Sequence, residues 1–285
     1  GCLMNELESL LQKIDRSQHQ VGNTALAPLY SQAGQLLLER ERFQEAGSFY
    51  QQASVLYGQS GDNIRQAKAL NQLGACQLMT NQPHKALKTL SEAKKSLLRQ
   101  PDERLLASIE GNKGLAWYAI NDYTKAFQSH KHALELAEKL EDPDLKLRAL
   151  LNLADCNLQS RHYQPALGFA LVALDLARSL PQGPALVSIY DLLGMIYSRQ
   201  GNLRTAIDYH RQASQQAAAL GDIQAQASAL ANQALALEAL TELDEALLVM
   251  SQARDLFALI GSSFLQKTTQ DLERIRAGRT QRPGP

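Results

Sequence analysis

Alanine recurs in this chain with a period of 40 residues. Ala46, Ala86, Ala126, Ala166, Ala206 and Ala246 follow one another without slippage. Seven residues after each stands a second alanine: Ala53, Ala93, Ala133, Ala173, Ala213 and Ala253. Twelve residues before the first series lies a third set of small residues, Gly34, Gly74, Gly114, Ala154, Gly194 and Ala234. A register of this kind describes an array of similar units. Alanines seven apart share one face of a helix, and small side chains there admit a second helix at close range. A glycine inside a helix costs about 1 kcal/mol relative to alanine. Four of them at equivalent places imply a neighbour that passes almost in contact.

Each unit therefore reads as two antiparallel helices, A and B, joined by a short turn. The turns are NQP at 81–83, ND at 121–122 and QGN at 200–202. Breakers separate the units: Gly61-Asp62, Pro101-Asp102, Asp142-Pro143, Pro181 to Pro184, Gly221-Asp222 and Gly261-Ser262. In the fourth unit the inward apolar positions are Leu150, Leu153, Tyr163 and Leu167. At the N-terminus, Leu3, Leu7, Leu10, Leu11 and Ile14 form one stripe, which predicts a helix over 3–19. Phe264, Leu265, Leu272 and Ile275 predict a more polar helix over 262–277. The organisation expected is a capping helix within 1–22, six repeats over 23–261, a C-terminal cap over 262–277 and a disordered tail, 278–285.

This pattern resembles the tetratricopeptide repeat family, whose motif is shorter, at about 34 residues. Gly114, Trp117, Ala126 and Ala133 match its small, aromatic, alanine and alanine positions, as do Gly194, Tyr197, Ala206 and Ala213. The six extra residues follow the second alanine and lengthen the helices. Forty-residue repeats of this kind are similar to those of Pins-type polarity adaptors and, more loosely, of kinesin light chain. The resemblance implies an all-α, right-handed α-solenoid of six helix-turn-helix repeats with a helix capping each end. Departures are Glu110, Lys113 and Gln233 at places that are usually apolar, and His130 and His210 in an aromatic slot.

The function classes that remain are few. Lys plus Arg is 29 and Asp plus Glu is 29, so no net field draws the chain to nucleic acid or to an anionic membrane. No apolar run approaches the roughly 18 residues that span a bilayer. The opening GCLMNELESLL has neither the basic stretch nor the unbroken apolar core of a signal peptide. Three cysteines make no disulfide framework, so a cytoplasmic setting is expected. No Walker loop, GxGxxG, HExxH or CxxC is present, and no enzyme, cofactor or metal is expected. His130 and His132, two apart on a helix, point to different sides and make poor joint ligands. Cys76 and Cys156, at one repeat position, read as small buried hydrophobes. Trp117 and Tyr197 read as core. Arg274, Arg276, Arg279 and Arg282 read as a solvated basic tail.

The surface that repetition creates is the remaining candidate. Two residues before each small residue of helix A stand Gln32, Gln72, Asn112, Asn152, Leu192 and Asn232. Five of six are amides, which offer both donors and an acceptor. In the family this position faces the concave side, and asparagines there hold the backbone of an extended peptide in Pins-type and kinesin-light-chain repeats. Around the row lie Lys68, Arg148 and Arg199, with Asp155, Asp191 and Glu238 of opposite charge. Leu115, Leu151, Leu192 and Met195 supply apolar pockets. The expected partner is another protein, bound through a linear or helical segment. The residues three before each small residue are Ser31, Asn71, Gly111, Leu151, Asp191 and Ala231. They contain no lysine, so the carboxylate clamp of chaperone-tail adaptors is not expected. A second reading is a regulatory sensor that binds a peptide or small effector and changes curvature.

Overall fold

A computed structural model describes residues 2–18, 23–180, 183 and 185–280. Among them every regular element is helical: α1 (Cys2–Gln18), a 3₁₀ turn (Asn23–Leu26), α2 (Ala27–Leu38), α3 (Phe43–Gln59), α4 (Asn63–Met79), α5 (Pro83–Ser96), α6 (Glu103–Ala119), α7 (Tyr123–Lys139), α8 (Pro143–Gln159), α9 (Tyr163–Ser179), α10 (Ala185–Arg199), α11 (Leu203–Leu220), α12 (Ile223–Ala239), α13 (Leu243–Leu259) and α14 (Leu265–Thr280). The even-numbered helices α2 to α12 are the A helices of the six repeats, and the following odd-numbered ones are the B helices. The chain divides into two compact units, Gly1–Asn152 and Leu153–Pro285. In each, an A helix packs on its own B helix and on the next A helix, as α4 does on α5 and α6 and α10 does on α11 and α12. This is the all-α solenoid expected of the repeat.

The twelve alanines are all buried. The glycines have specific neighbours. A Cβ built on Gly34 would stand 2.9 Å from the Tyr50 ring, and one on Gly74 2.7 Å from Leu90. On Gly114 it would stand 2.3 Å from His130 Cε1, and on Gly194 2.5 Å from His210 Cε1. Each neighbour lies sixteen residues after its glycine. In the two repeats where alanine replaces the glycine, the residue sixteen later is Ala170 or the pliable Met250. Ring or branched B-helix residues (Tyr50, Leu90, His130, His210) thus go with glycine on helix A, which explains glycine's presence inside helices that it weakens.

The turns repeat as well. Glu41, Asn81, Asn121, Arg161, Gly201 and Thr241, spaced by 40, all have positive φ between 57° and 81°. That conformation reverses the chain between A and B in three or four residues. Asp62, Asp102, Asp122 and Asp222 cap the helices that follow, each side chain accepting from the backbone N–H three residues on. Asp142 caps α8 through the N–H groups of Asp144 and Leu145 and also pairs with Arg104.

Several expectations need correction. On α1, Leu7, Leu10 and Ile14 are buried but Leu11 is exposed; the Leu3 side chain lies outside the described residues. α14 continues to Thr280, so residues 278–280 are helical and not tail. Residues 281–285, with Arg282, lie outside the described residues, as do 181, 182 and 184 of the breaker before α10. Arg274 and Arg279 are not a solvated tail: they pair with Glu238 and Asp244 and tie α14 to the last repeat. Trp117 and Tyr197 are half-buried, at the turn end of their helices. Lys125 Nζ stands 4.4 Å from the Trp117 ring centroid, and Tyr197 stacks on Tyr209. Glu110 is buried, with Lys94 Nζ at 2.6 Å and Lys113 Nζ and His132 Nδ1 each at 3.7 Å. An ionic cluster therefore replaces the usual apolar contact there. Cys76 and Cys156 are buried, and burial pushes their thiols up to about 11 and about 12, the behaviour of inert packing cysteines.

Candidate functional site

The expected site residues fall on the A helices, but they do not form one uniform row. In the first unit they gather in two hollows. One, of about 220 Å³, is lined by Ser108, Gly111, Asn112 and Leu115 of α6, His130 and Ala133 of α7, and Leu145, Arg148, Ala149, Leu151 and Asn152 of α8. It brings together Asn112, Arg148 and Asn152 from the expected set. The other, of about 330 Å³, brings together Gln32, Lys68 and Gln72 with Tyr50 and Arg65. Burial pushes the Tyr50 hydroxyl up to about 12, so it serves there as a neutral hydrogen-bonding group; it donates to Gln35 Oε1.

The amides divide into committed and open ones. Asn112 Nδ2 donates to Asn71 Oδ1 at 2.9 Å, and Asn71 Nδ2 donates to Ser108 Oγ at 3.1 Å. Asn71 is buried, so Asn112 also ties the second repeat to the third. In the second unit Asn232 Nδ2 donates to Asp191 Oδ1 at 3.1 Å and to Oδ2 at 3.2 Å. Both ties span 41 residues. Whether an amide is committed therefore depends on the residue 41 earlier. Before Asn152 that residue is Gly111, which has no side chain to bond. Among the described residues the Asn152 side chain has no hydrogen bond, and Arg148 is exposed with no ion pair.

The remaining expected residues are placed as follows. Asp191 faces its own chain, since His210 Nδ1 donates to its Oδ1 at 2.7 Å. Glu238 is taken by Arg274 through two hydrogen bonds. Leu192 is buried, whereas Leu115 is exposed and Leu151 half-buried. Asp155 accepts from Gln159. Arg199 lines a shallow depression with Arg161 and His162 near the turns, away from Asn232 and Asp191. Met195 is half-buried and joins neither hollow.

His130, which the repeat pattern presents as a packing residue alone, has a further property. It is 1% exposed, it lines the hollow at Asn152, and among the described residues its Nδ1 has no hydrogen-bond partner. Burial pushes its imidazole down to about 4, so it is neutral at physiological pH. The signal that marks it is a comparison 80 residues apart. Gly111, His130 and Asn152 stand in the register of Asp191, His210 and Asn232.

A family model for the tetratricopeptide repeat matches residues 25–97 and 105–179, and a second one, also for the tetratricopeptide repeat, matches 189–224. These are matches to the repeat at large and do not single out a Pins-type subtype. A search of curated protein sequences finds no match to the chain. Among solved structures, the chain is similar to BtubC (BKLC) from P. vanneervenii, with 18% identity, a TM-score of 0.65, and coverage of 78% of this chain and 93% of that one. It is similar to a signal-transduction ATPase with numerous domains from Pyrococcus horikoshii that carries a tetratricopeptide repeat sensor. There the identity is 16% and the TM-score 0.70, with 87% of this chain and 42% of that one covered. It is also similar to a Rap protein complexed with Competence and Sporulation Factor, at 17% identity and TM-score 0.66, over 93% of this chain and 79% of that one. At these identities the likeness is one of fold. Among the described residues no helix is long and apolar enough to cross a membrane.

Proposed function

Because the chain belongs to the tetratricopeptide repeat family, we propose that it is a non-enzymatic scaffold that binds an extended segment of another protein on its A-helix face. The observation that carries this reading is the hollow between α6, α7 and α8. It combines an uncommitted amide, Asn152, an uncommitted cation, Arg148, and apolar walls from Leu115 and Leu151. Amides that serve a peptide backbone give affinity largely independent of side chains, and apolar walls and charge then select among segments.

The two asparagines of this hollow differ as probes. Asn112→Ala removes the tie to buried Asn71 and is expected to lower stability by about 1 kcal/mol. Asn152→Ala removes no internal hydrogen bond and leaves the thermal midpoint in place. Its expected effect is on binding: about a tenfold loss of affinity for a partner recovered from the native cell, read by titration with the purified partner segment. Retention of full affinity by the Asn152→Ala protein would contradict the reading.

A second reading, a sensor that changes curvature on binding, draws support from the likeness to the Pyrococcus protein, which carries a tetratricopeptide repeat sensor. Small-angle scattering separates the two. A sensor changes its radius of gyration when the segment binds, and a rigid scaffold keeps it.

A further inference from the structure

The second unit contains a carboxylate held by two donors from neighbouring helices. Asp191 of α10 accepts from His210 Nδ1 of α11 at 2.7 Å and from Asn232 Nδ2 of α12 at 3.1 and 3.2 Å. A carboxylate only accepts, so His210 is the donor in that bond. In the first unit the same register places His130 on α7 and Asn152 on α8, with Gly111 on α6 where the aspartate would be. The histidines are seated alike. Both rings lie over a helix-A glycine, with Cε1, Nδ1 and Nε2 as the nearest atoms to a Cβ built there, at 2.3–2.5 Å for Gly114 and 2.5–2.7 Å for Gly194.

We propose that the hollow over Gly111 is a receptor for an acidic side chain of the bound segment, whose carboxylate takes the place that Asp191 takes in the second unit. This inference rests on the scaffold reading and deepens it, since it names the residue type that the partner must present. Four observations converge. A side chain at Gly111 would meet nothing within 4 Å of its Cβ, so the space is open to a guest. His130 Nδ1 is buried and has no hydrogen-bond partner among the described residues. Asn152, the counterpart of Asn232, lines the same hollow with its amide uncommitted. Arg148 lines it as well, where the second unit has Ser228 in register, and adds the positive charge that an external carboxylate requires. Leu115 and Leu151 at the rim favour an apolar residue beside the acidic one. His130 and Asn152 would act as donors in recognition only; no bond is made or broken.

The test uses the full chain with nitrogen-15 label and two blocked peptides, acetyl-Leu-Asp-Leu-amide and acetyl-Leu-Asn-Leu-amide. The readouts are the His130 imidazole and the Asn152 side-chain amide, assigned from their disappearance in His130→Phe and Asn152→Ala. The aspartyl peptide is expected to move both signals, with an affinity about tenfold above that of its asparaginyl isostere. In Gly111→Asp the protein supplies its own carboxylate. The His130 signal then moves in the free protein, and the response to the aspartyl peptide is lost. Equal responses to the two peptides, or a His130 signal that neither peptide moves, would overturn the acidic-residue site. Those results leave the scaffold reading standing or falling on the separate Asn152→Ala comparison. The peptide comparison is made on the unaltered protein, so it decides the matter even where Gly111→Asp fails to fold.

Discussion

Replacing Gly194 by alanine lowers the unfolding free energy by about 3 kcal/mol, the largest loss expected from one methyl group in this chain. The added Cβ would stand 2.5–2.7 Å from three atoms of the His210 ring, well inside van der Waals contact. The ring is stiff, it is 1% exposed, and it is anchored by Asp191. Moving it means overpacking, which costs about 1–3 kcal/mol, and loss of a hydrogen bond to a charged acceptor, which costs about 1.5–3 kcal/mol. The helix-propensity gain of alanine over glycine returns about 1 kcal/mol. Gly114→Ala presses on His130 at even shorter range, yet it is expected to cost less. Among the described residues His130 has no bond at Nδ1 to lose, and it borders a hollow of about 220 Å³ into which it can shift. Urea denaturation of both variants gives the comparison. The double change Gly194→Ala with His210→Ala restores the pairing found in the fourth repeat, Ala154 with Ala170. It should recover part of the loss, a coupling that a double-mutant cycle measures. Additive effects would contradict the contact.

The second large effect is on acid stability. His130 titrates near 4 in the folded chain and near 6.5 when unfolded. Between those values the unfolded state binds the extra proton, so stability falls as the pH falls. The stability associated with the neutral imidazole is complete above pH 6.5. About 2 kcal/mol is lost by pH 5 and about 3 kcal/mol by pH 4. His130→Phe keeps an aromatic ring in a slot that the repeat family fills with aromatics, and it removes the titration. Denaturation at pH 7 and pH 5 should show a smaller drop for the variant by about 2 kcal/mol. Parallel pH profiles would show that His130 charges without cost and is not desolvated as described.

Much of the architecture was legible because it rests on local period. Helix pairs, the short turns and the buried alanines all follow from spacing, since each repeats a contact already made one unit earlier. The glycines were legible as points of close approach. Their partners became legible only when residues sixteen apart were compared, Gly34 with Tyr50 and Ala154 with Ala170. The site was less legible, for a physical reason. Asn112, Asn152 and Asn232 occupy one register, but the neighbour 41 residues earlier is asparagine, glycine or aspartate. That neighbour decides whether the amide is spent inside the protein. Asp191 and Glu238 looked like surface charges because their partners, His210 and Arg274, come from other helices. Glu110 was an anomaly in the pattern because its compensation comes from Lys94 on the preceding repeat.

In the proposed function, the A-helix face beside Gly111 is where another protein is held. The most direct measurement places a photo-crosslinking benzoylphenylalanine at Leu115, on the rim of the hollow, or at Val55, exposed on a B helix. Crosslinked peptides are then sequenced from the native cell. Leu115 is expected to capture one recurring segment carrying an acidic residue, Val55 is not, and Gly111→Asp is expected to abolish the capture. Equal capture from both positions, or capture at Leu115 that survives Gly111→Asp, would contradict that reading.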